Sequence, residues 1–273
     1  MATVRCADIQ TVWYEVGRAP ARGAPPLVLV HGLADDHRAW RKVLPELALR
    51  QRVLLYDFRG HGGSTLGEAN GGLRQLAGDL VCLLDALDVE RAHLCGFSLG
   101  GTIVMRTAID HPGRVAKLLP VATSSRVGRG AAEWYATRAE LVRSEAPELR
   151  ATLEQDARDV YANAPQEFAE GWLIRSQSTA DPRGYGNACA AMAGLHAEPL
   201  DPELGQVEAP TLVVCSDRDQ LCPPRAAEII SAGIPGSRMT VVEGAGHPIP
   251  VEKPALLARL VLDFLDANGA PGA

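Results

Sequence analysis

Short apolar segments alternate with longer amphipathic ones along most of this chain, and this alternation constrains the fold more than any other feature. The apolar segments are nearly uninterrupted, as expected for strands that are buried on both faces of a sheet. They cover residues 27–30, 53–56, 92–95, 116–121 and 211–215. Segments with helical spacing cover residues 40–49, 73–87, 99–109, 226–234 and 256–265. The alternation predicts a mostly parallel sheet with helices on both faces.

Two regions depart from this pattern. Near the N-terminus, residues 4–9 and 12–16 resemble the two strands of an opening hairpin. Residues 124–200 contain no β-branched run and are rich in Ala, Glu, Arg and Leu, so this segment is predicted to be helical. Three prolines stand where first turns of its helices could begin, Pro147, Pro165 and Pro182.

The chain length suits one α/β core with an insertion. At 273 residues the chain is within the range of α/β folds that form one unit. We therefore expect residues 1–123 and 201–273 to form the core and residues 124–200 to form a helical insertion. The last five residues, Gly-Ala-Pro-Gly-Ala, are expected to be frayed.

Charge and apolar patterning exclude two classes of partner. With 27 Lys and Arg against 33 Asp and Glu, the net charge of −6 leaves no basic excess to neutralise a nucleic-acid backbone. The apolar runs are far shorter than the ~18 to 20 residues that a membrane helix needs. The N-terminus lacks the apolar stretch of a signal peptide, and the six cysteines include no CxxC pair. These features predict a cytoplasmic protein with free thiols.

The residues with the clearest chemistry form a G-x-S-x-G pentad, Gly96-Phe97-Ser98-Leu99-Gly100, between a predicted strand and a predicted helix. The string alone is weak evidence, but this position favours a strained turn that exposes the serine hydroxyl. The Leu99 amide would then lie at a helix N-terminus, where unpaired N–H groups favour negative charge. Ser98 is the candidate nucleophile, and the Leu99 amide is a candidate oxyanion donor.

A serine hydroxyl needs a base, and the base needs an acid that orients it. His247 is the candidate base, because it follows Gly244-Ala245-Gly246 in a loop between a predicted strand and the last helix. The other six histidines are predicted to be surface, strand or loop-scaffold residues. Asp217 and Asp219 both follow the strand at residues 211–215, and either could be the acid.

Five motifs, taken in their order along the chain, resemble the α/β-hydrolase superfamily. They are His31-Gly32-Leu33, residues 57–64, residues 96–101, residues 219–223 and Gly246-His247. The resemblance extends over nearly the whole chain, and five motifs in order are far more specific than one. Within the superfamily the chain is most similar to 3-oxoadipate enol-lactonases and related small esterases.

The resemblance implies further roles. In the superfamily the acid stands four residues before the proline of its loop, which selects Asp219 over Asp217. The resemblance also implies that the Leu33 amide is the second oxyanion donor. It implies that residues 124–200 form a cap over the active site.

Three aromatic residues of the predicted cap, Trp134, Trp172 and Tyr185, are candidates for substrate binding. The alternative is that they form the internal core of this segment. Asp57 and Arg59 are interpreted as structural members of a tight loop.

These patterns together predict a cofactor-independent serine hydrolase that cleaves a small carboxylic ester or lactone through an acyl-enzyme on Ser98. No nucleotide-binding, H-E-x-x-H or EF-hand motif is present, so no cofactor and no metal are expected. One alternative is hydrolysis of a C–C bond in a β-diketone or dienoic acid. Another is a ligand receptor that keeps the triad but turns over slowly. The oligomeric state is left open.

Overall fold

Eight strands of the computed structural model form one sheet; the structure describes residues 1–19, 21 and 23–267. The strands are β1 (Ala2–Cys6), β2 (Ile9–Gly17), β3 (Leu27–Val30), β4 (Arg52–Tyr56), β5 (Ala92–Phe97), β6 (Val115–Val121), β7 (Leu212–Ser216) and β8 (Arg238–Val242). Their order across the sheet is β1-β2-β4-β3-β5-β6-β7-β8. All pairs from β4 to β8 are parallel, and β2 is antiparallel to both of its neighbours.

Helices cover both faces of this sheet. They are α1 (Leu44–Ala48), α2 (Leu73–Ala86), α3 (Leu99–Asp110), α4 (Arg129–Arg143), α5 (Leu149–Val160), α6 (Phe168–Ser178), α7 (Pro182–Gly194), α8 (Pro224–Gly233), α9 (Ile249–Glu252) and α10 (Pro254–Asp266). Val28 and Val30 of β3 pack in the layer that contains α2, α3 and α8. Leu27 and Leu29 face the opposite layer, which contains α1 and α10. This burial on both faces confirms the predicted α/β architecture.

The predicted opening hairpin is confirmed, although its turn lies earlier than expected, and one predicted helix is wrong. The opening hairpin turns at Ala7 and Asp8, and residues 10 and 11 continue β2 in register with β1. Ala7 adopts the left-handed conformation that this tight turn requires, with φ of +52°. The single helix predicted at residues 40–49 is instead a 3-10 helix, His37–Trp40, followed by α1. Pro45 in the first turn of α1 lacks the N–H that would continue a helix from the preceding residues.

Four helices, α4 to α7, occupy the segment between β6 and β7, which we call the helical insertion (residues 129–194). Pro182 begins α7, Pro165 begins a 3-10 helix before α6, and Pro147 precedes α5 by two residues. Helix α4 packs along α7, and α5 packs against α6. No helix in the described part of the chain is both long and apolar enough to cross a membrane. The expectation for the last five residues lies outside the described residues.

Candidate active site

Ser98 occupies a strained turn between β5 and α3. Its φ of +54° and ψ of −121° lie in a region that non-glycine residues rarely adopt. A Cβ on Gly96 would lie 2.2 Å from the Gly100 carbonyl oxygen, and one on Gly100 would lie 2.2 Å from the Val30 carbonyl oxygen. Both positions therefore require glycine, and the close strand–helix approach holds the serine at the carboxyl edge of the sheet.

The structure brings the imidazole of His247 and the carboxylate of Asp219 to this serine. His247 Nε2 lies 3.0 Å from Ser98 Oγ, and His247 Nδ1 lies 2.8 Å from Asp219 Oδ2. The other carboxylate oxygen of Asp219 accepts hydrogen bonds from the Leu221 and Cys222 amides, both at 2.8 Å. Asp219 is thus fixed in one orientation, and His247 can hold one ring nitrogen toward the hydroxyl.

Asp217 has a different environment. Its Oδ1 accepts a hydrogen bond of 2.7 Å from the Gly244 amide, and the side chain is exposed. This contact joins the loops that follow β7 and β8. Asp217 therefore supports the loop in which His247 lies, without contacting the imidazole.

Ser216 and Glu252, which were not predicted from the sequence, also hold the loop that contains His247. Ser216 Oγ donates to the Gly246 carbonyl oxygen at 2.6 Å, and the Gly246 amide donates to Glu252 Oε2 at 3.0 Å. The only available signal was their nearness in sequence to Asp219 and His247. Their role is evident only when β7 and β8 are placed side by side.

The amides of Leu33 and Leu99 are the candidate oxyanion donors. Leu99 is the first residue of α3, where an N–H group has no partner within the helix. Leu33 follows β3 and lines a cavity beside Ser98. Within the residues that the structure describes, neither amide donates a hydrogen bond to another group. Both N–H groups thus remain available to an oxygen that develops charge near Ser98.

A cavity of about 330 Å³ lies above Ser98 and His247. Loops after β3, β5, β7 and β8 form one side, and α4, α5 and α6 of the helical insertion form the other. Its wall is largely apolar, with Leu33, Phe97, Trp134, Tyr135, Val160 and Leu221 among the lining residues. Burial raises the pKa of the lining thiol of Cys222 to about 12, so this cysteine is a protonated thiol at neutral pH. The cavity can hold a small organic substrate.

Three buried charged residues of the cavity were not predicted from the sequence, Asp35, Asp156 and Arg175. Asp156 Oδ1 accepts a hydrogen bond of 2.8 Å from Arg138 Nη2, and Tyr185 donates to Asp156 Oδ2 at 3.3 Å. Arg175 Nη1 is 3.4 Å from Asp35 Oδ2, and burial raises the pKa of Asp35. No local pattern identifies Arg175, because its approach to Asp35 depends on how the insertion packs on the core.

The three aromatic candidates for substrate binding have different surroundings. Trp134 lines the cavity and is 36% exposed. The Arg138 guanidinium lies over its ring, 4.0 Å from the centroid. Tyr185 is 1% exposed and is not among the cavity-lining residues. Trp172 is also outside that set and packs against the apolar cluster that residues of the insertion form with Ala34. The structure therefore brings only Trp134 of these three to the cavity.

One group of potential metal ligands, Asp36, His37 and Asp57, was found among the residues with described positions. Arg38 Nη2 lies 2.6 Å from Asp36 Oδ2, and His37 Nδ1 lies 2.8 Å from Asp57 Oδ1. Burial would raise the pKa of Asp57, but hydrogen bonds from His37 and the Gly63 amide, together with the nearby His31, outweigh it and hold this pKa below its usual value. The group lies outside the cavity, and its polar atoms are engaged in the loop. It fits a structural role better than a cation site.

Arg59 is likewise engaged in structural contacts. Its Nε and Nη2 donate to the two carboxylate oxygens of Asp79 at 2.8 and 2.7 Å, and Nη2 also donates to Asp8. These bonds tie the loop after β4 to helix α2 and the opening hairpin.

A parallel sheet whose central strand ends in a strained serine, with a histidine and an aspartate on the loops after later strands, defines the α/β-hydrolase class. Residues 25–254 match the family model described as alpha/beta hydrolase fold, and the chain belongs to that family.

Similar proteins span nearly all of this chain. RutD of Variovorax paradoxus, described as a proposed carbamate hydrolase, is 32% identical over 95% of this chain and 97% of its own length. The 3-oxoadipate enol-lactonase 1 of Acinetobacter baylyi is 27% identical over 89% of both chains. The crystal structure of the enol-lactonase from Burkholderia xenovorans has a TM-score of 0.86 at 26% identity, covering 97% of this chain and 99% of that one. The predicted resemblance is thereby confirmed, and the chain is a hydrolase by family.

Proposed function

We propose that this hydrolase cleaves a carboxylic ester or lactone through an acyl-enzyme on Ser98. The observation that carries the proposal is the continuous contact from Ser98 Oγ to His247 Nε2 at 3.0 Å and from His247 Nδ1 to Asp219 at 2.8 Å. This arrangement opens into a cavity large enough for a small substrate. The names of the similar enol-lactonases support the lactone part of the proposal.

The distances among Ser98, His247 and Asp219 allow an acylation step. Ser98 Oγ attacks the carbonyl carbon while its proton moves to His247 Nε2, and Asp219 stabilises the imidazolium that forms. The carbonyl oxygen becomes an oxyanion that accepts hydrogen bonds from the Leu33 and Leu99 amides. When the C–O bond breaks, the imidazolium gives its proton to the leaving oxygen. For a lactone, that oxygen remains attached to the acyl chain.

Deacylation repeats the same steps with water. His247 takes a proton from a water molecule as its oxygen attacks the acyl carbon, and the oxyanion again lies at the two amides. The proton then returns to Ser98 Oγ as the ester bond to the enzyme breaks. The products are a carboxylic acid and the restored hydroxyl.

In this proposal, residues 124–200 act as the cap that selects the substrate. Helices α4 to α6 supply one wall of the cavity, so their side chains contact whatever part of the substrate extends from the reacting carbonyl. Residues 1–123 and 201–273 would then supply the reacting groups. Trp134 is the cap aromatic that we place against the substrate.

The direct test is hydrolysis of a p-nitrophenyl ester by Ser98→Ala. We expect kcat to fall by ~10⁶, the loss typical of removing a serine nucleophile, with an unchanged circular dichroism spectrum. Ser124→Ala is a matched control, because Ser124 Oγ contacts Cys222 Sγ at 3.4 Å beside the cavity. Activity of Ser98→Ala within tenfold of the native protein would contradict the proposal.

A substrate panel separates the remaining candidates. Esters, lactones, carbamates and β-diketones should be compared by kcat/KM, and we expect an ester or lactone to rank first. A preference for β-diketones would indicate C–C bond hydrolysis. Tight ligand binding with negligible turnover of every class would indicate a receptor.

A further inference from the structure

The cavity contains a buried arginine whose hydrogen-bonding capacity is not used within the protein. Arg175 of α6 is 7% exposed and lines the cavity. Its Nε has no hydrogen-bond partner, and neither Nη atom donates a hydrogen bond to any residue with a described position. The nearest carboxylate oxygen, Asp35 Oδ2, is 3.4 Å from Nη1, which exceeds the usual length of a charge-assisted hydrogen bond.

The hydrogen-bonding capacity of the Asp35 carboxylate is also unused within the described part of the chain. Asp35 is 5% exposed and lines the cavity two residues after Leu33, and its carboxylate accepts no hydrogen bond from the described part of the chain. The backbone at Asp35 is nevertheless held in place, because Ser178 of α6 donates to its carbonyl oxygen. The carboxylate and the guanidinium are thus fixed side by side with free acceptor and donor positions.

Two other buried arginines in the described part of the chain make shorter contacts with their carboxylate partners. Arg59 makes two short hydrogen bonds with Asp79, and Arg106 donates to Glu203 at 2.7 Å. Burying a charged group without full hydrogen bonding costs stability. A substrate group that bonds to both Asp35 and Arg175 would remove that cost.

Charge around the pair favours a neutral group. A substrate carboxylate at Arg175 would also face Asp35 and Asp156, whereas a cation would face the Arg175 guanidinium. Asp156 is already paired with Arg138 at 2.8 Å, and Asp159 is exposed. A group with an N–H beside a C=O matches both members of the pair, since the carboxylate accepts from the N–H and the guanidinium donates to the C=O.

We propose that Asp35 and Arg175 form a polar subsite that selects substrates with a neutral amide-type group at a distance from the reacting carbonyl. Arg175 donates to the amide oxygen, and Asp35 accepts from the amide N–H. This inference rests on the proposed serine hydrolase activity, because it concerns a second part of the same substrate. It makes Asp35 and Arg175 specificity-determining residues of that reaction.

The test compares three series of p-nitrophenyl esters with acyl chains of increasing length, which end in a primary amide, a carboxylate or a methyl group. At the chain length that reaches the pair, we expect kcat/KM for the amide ester to exceed both of its matched esters by about tenfold or more, because a site built for hydrogen bonds rejects analogues that lack them. Ratios within about threefold at every length would overturn the proposal.

Substitutions at Arg175 and Asp35 test whether a preference for the amide ester depends on this pair. Arg175→Gln should lower the amide-to-methyl ratio about tenfold, and Asp35→Asn should raise the carboxylate-to-amide ratio about tenfold because it removes the opposing charge. Arg41→Gln is the matched control, since Arg41 pairs with Glu170 of α6 at 2.7 Å but does not line the cavity. Equal changes in Arg41→Gln and Arg175→Gln would mean that the arginines only hold the cap, and would overturn the proposal.

Failure of this inference is distinguishable from failure of the proposed function. If the methyl-terminated esters are hydrolysed and Ser98→Ala abolishes that hydrolysis, the serine hydrolase stands whatever the ratios are. Thermal melts of each variant identify any loss caused by unfolding. The selectivity ratios are measured on the folded fraction alone, so they remain decisive for destabilised variants.

Discussion

Asp217 and Asp219 lie on the same loop after β7 but contact different groups. Asp219 is buried and contacts the imidazole of His247 at 2.8 Å, whereas Asp217 is exposed and accepts from the Gly244 amide. An acid beside the imidazole fixes the tautomer and stabilises the imidazolium that forms during attack. A carboxylate that bonds only to a backbone amide contributes to the loop instead.

We predict that Asp219→Asn lowers kcat for an activated ester by ~10³ to 10⁴, because the amide keeps the shape of the side chain but loses the charge. Asp217→Asn, the matched variant, should keep kcat within about tenfold and should mainly lower the melting temperature. Both variants should be measured with the same ester. An inactive Asp217→Asn with an active Asp219→Asn would require the acid to be reassigned.

Two tryptophans of the helical insertion also form a matched pair. Trp134 lines the cavity, whereas Trp172 packs within the insertion. We predict that Trp134→Ala changes the relative kcat/KM values of short and bulky acyl esters, since it removes a cavity wall. Trp172→Ala should lower the melting temperature and leave the ranking of the esters intact. An identical ranking in Trp134→Ala and the native protein would show that Trp134 does not contact the acyl group.

At the scale of elements, the turn from β5 to α3 depends on backbone contact that glycine alone allows. A Cβ on Gly100 would overlap the carbonyl oxygens of Val30 and His31 at 2.2 and 2.5 Å. Gly78 in the exposed face of α2 has no heavy atom within 4 Å of such a Cβ. The same substitution should therefore have opposite effects at these two positions.

We predict that Gly100→Ala lowers the free energy of unfolding by about 1–3 kcal/mol through overpacking and also reduces kcat, because Ser98 must shift. Gly78→Ala should raise the free energy of unfolding by roughly 0.5–1 kcal/mol, as expected for an exposed helix interior. Urea denaturation measures both changes. A neutral Gly100→Ala would show that the turn can relax away from β3.

The loop after β4 adds a pH-dependent element. Burial lowers the pKa of His61 from its ordinary 6.5 to about 3. Below pH 6.5 the unfolded chain binds a proton at His61, whereas the folded protein binds it only near pH 3. The contribution of neutral His61 to the free energy of unfolding is therefore fully present above pH 6.5 and is lost as the pH falls toward 3. His61 also accepts from the Ala34 amide at 3.3 Å, which links this loop to the segment after Leu33.

We predict that the melting temperature of the native protein falls between pH 6.5 and pH 3 more steeply than that of His61→Gln, which has no such proton to bind. His111→Gln, at an exposed histidine, is the control and should follow the native curve. Calorimetry across this range gives all three slopes. A His61→Gln slope equal to the native one would contradict the assignment.

At the scale of the whole molecule, the features that could be predicted from the sequence are those that depend on residues close together along the chain. The central parallel strands are buried on both faces, so they appear as apolar runs, and Ser98 lies at the end of one such run. The choice of Asp219 over Asp217 needed a family resemblance, because both follow the same strand. The contact between Asp35 and Arg175 could not be predicted, since it depends on the packing of α6 over the core. The position of Trp134 at the cavity, with Trp172 away from it, depends likewise on the rotation of their helices.

The central claim is that Ser98 carries the acyl group during turnover. The most direct measurement is rapid acid quenching of the reaction with p-nitrophenyl acetate, followed by intact-mass and peptide mass spectrometry. We predict a mass increase of one acetyl group on the peptide that contains Ser98, formed at least as fast as the steady-state turnover and absent in Ser98→Ala. Steady turnover with no acetylated Ser98, or with the acetyl group on another residue, would contradict the account.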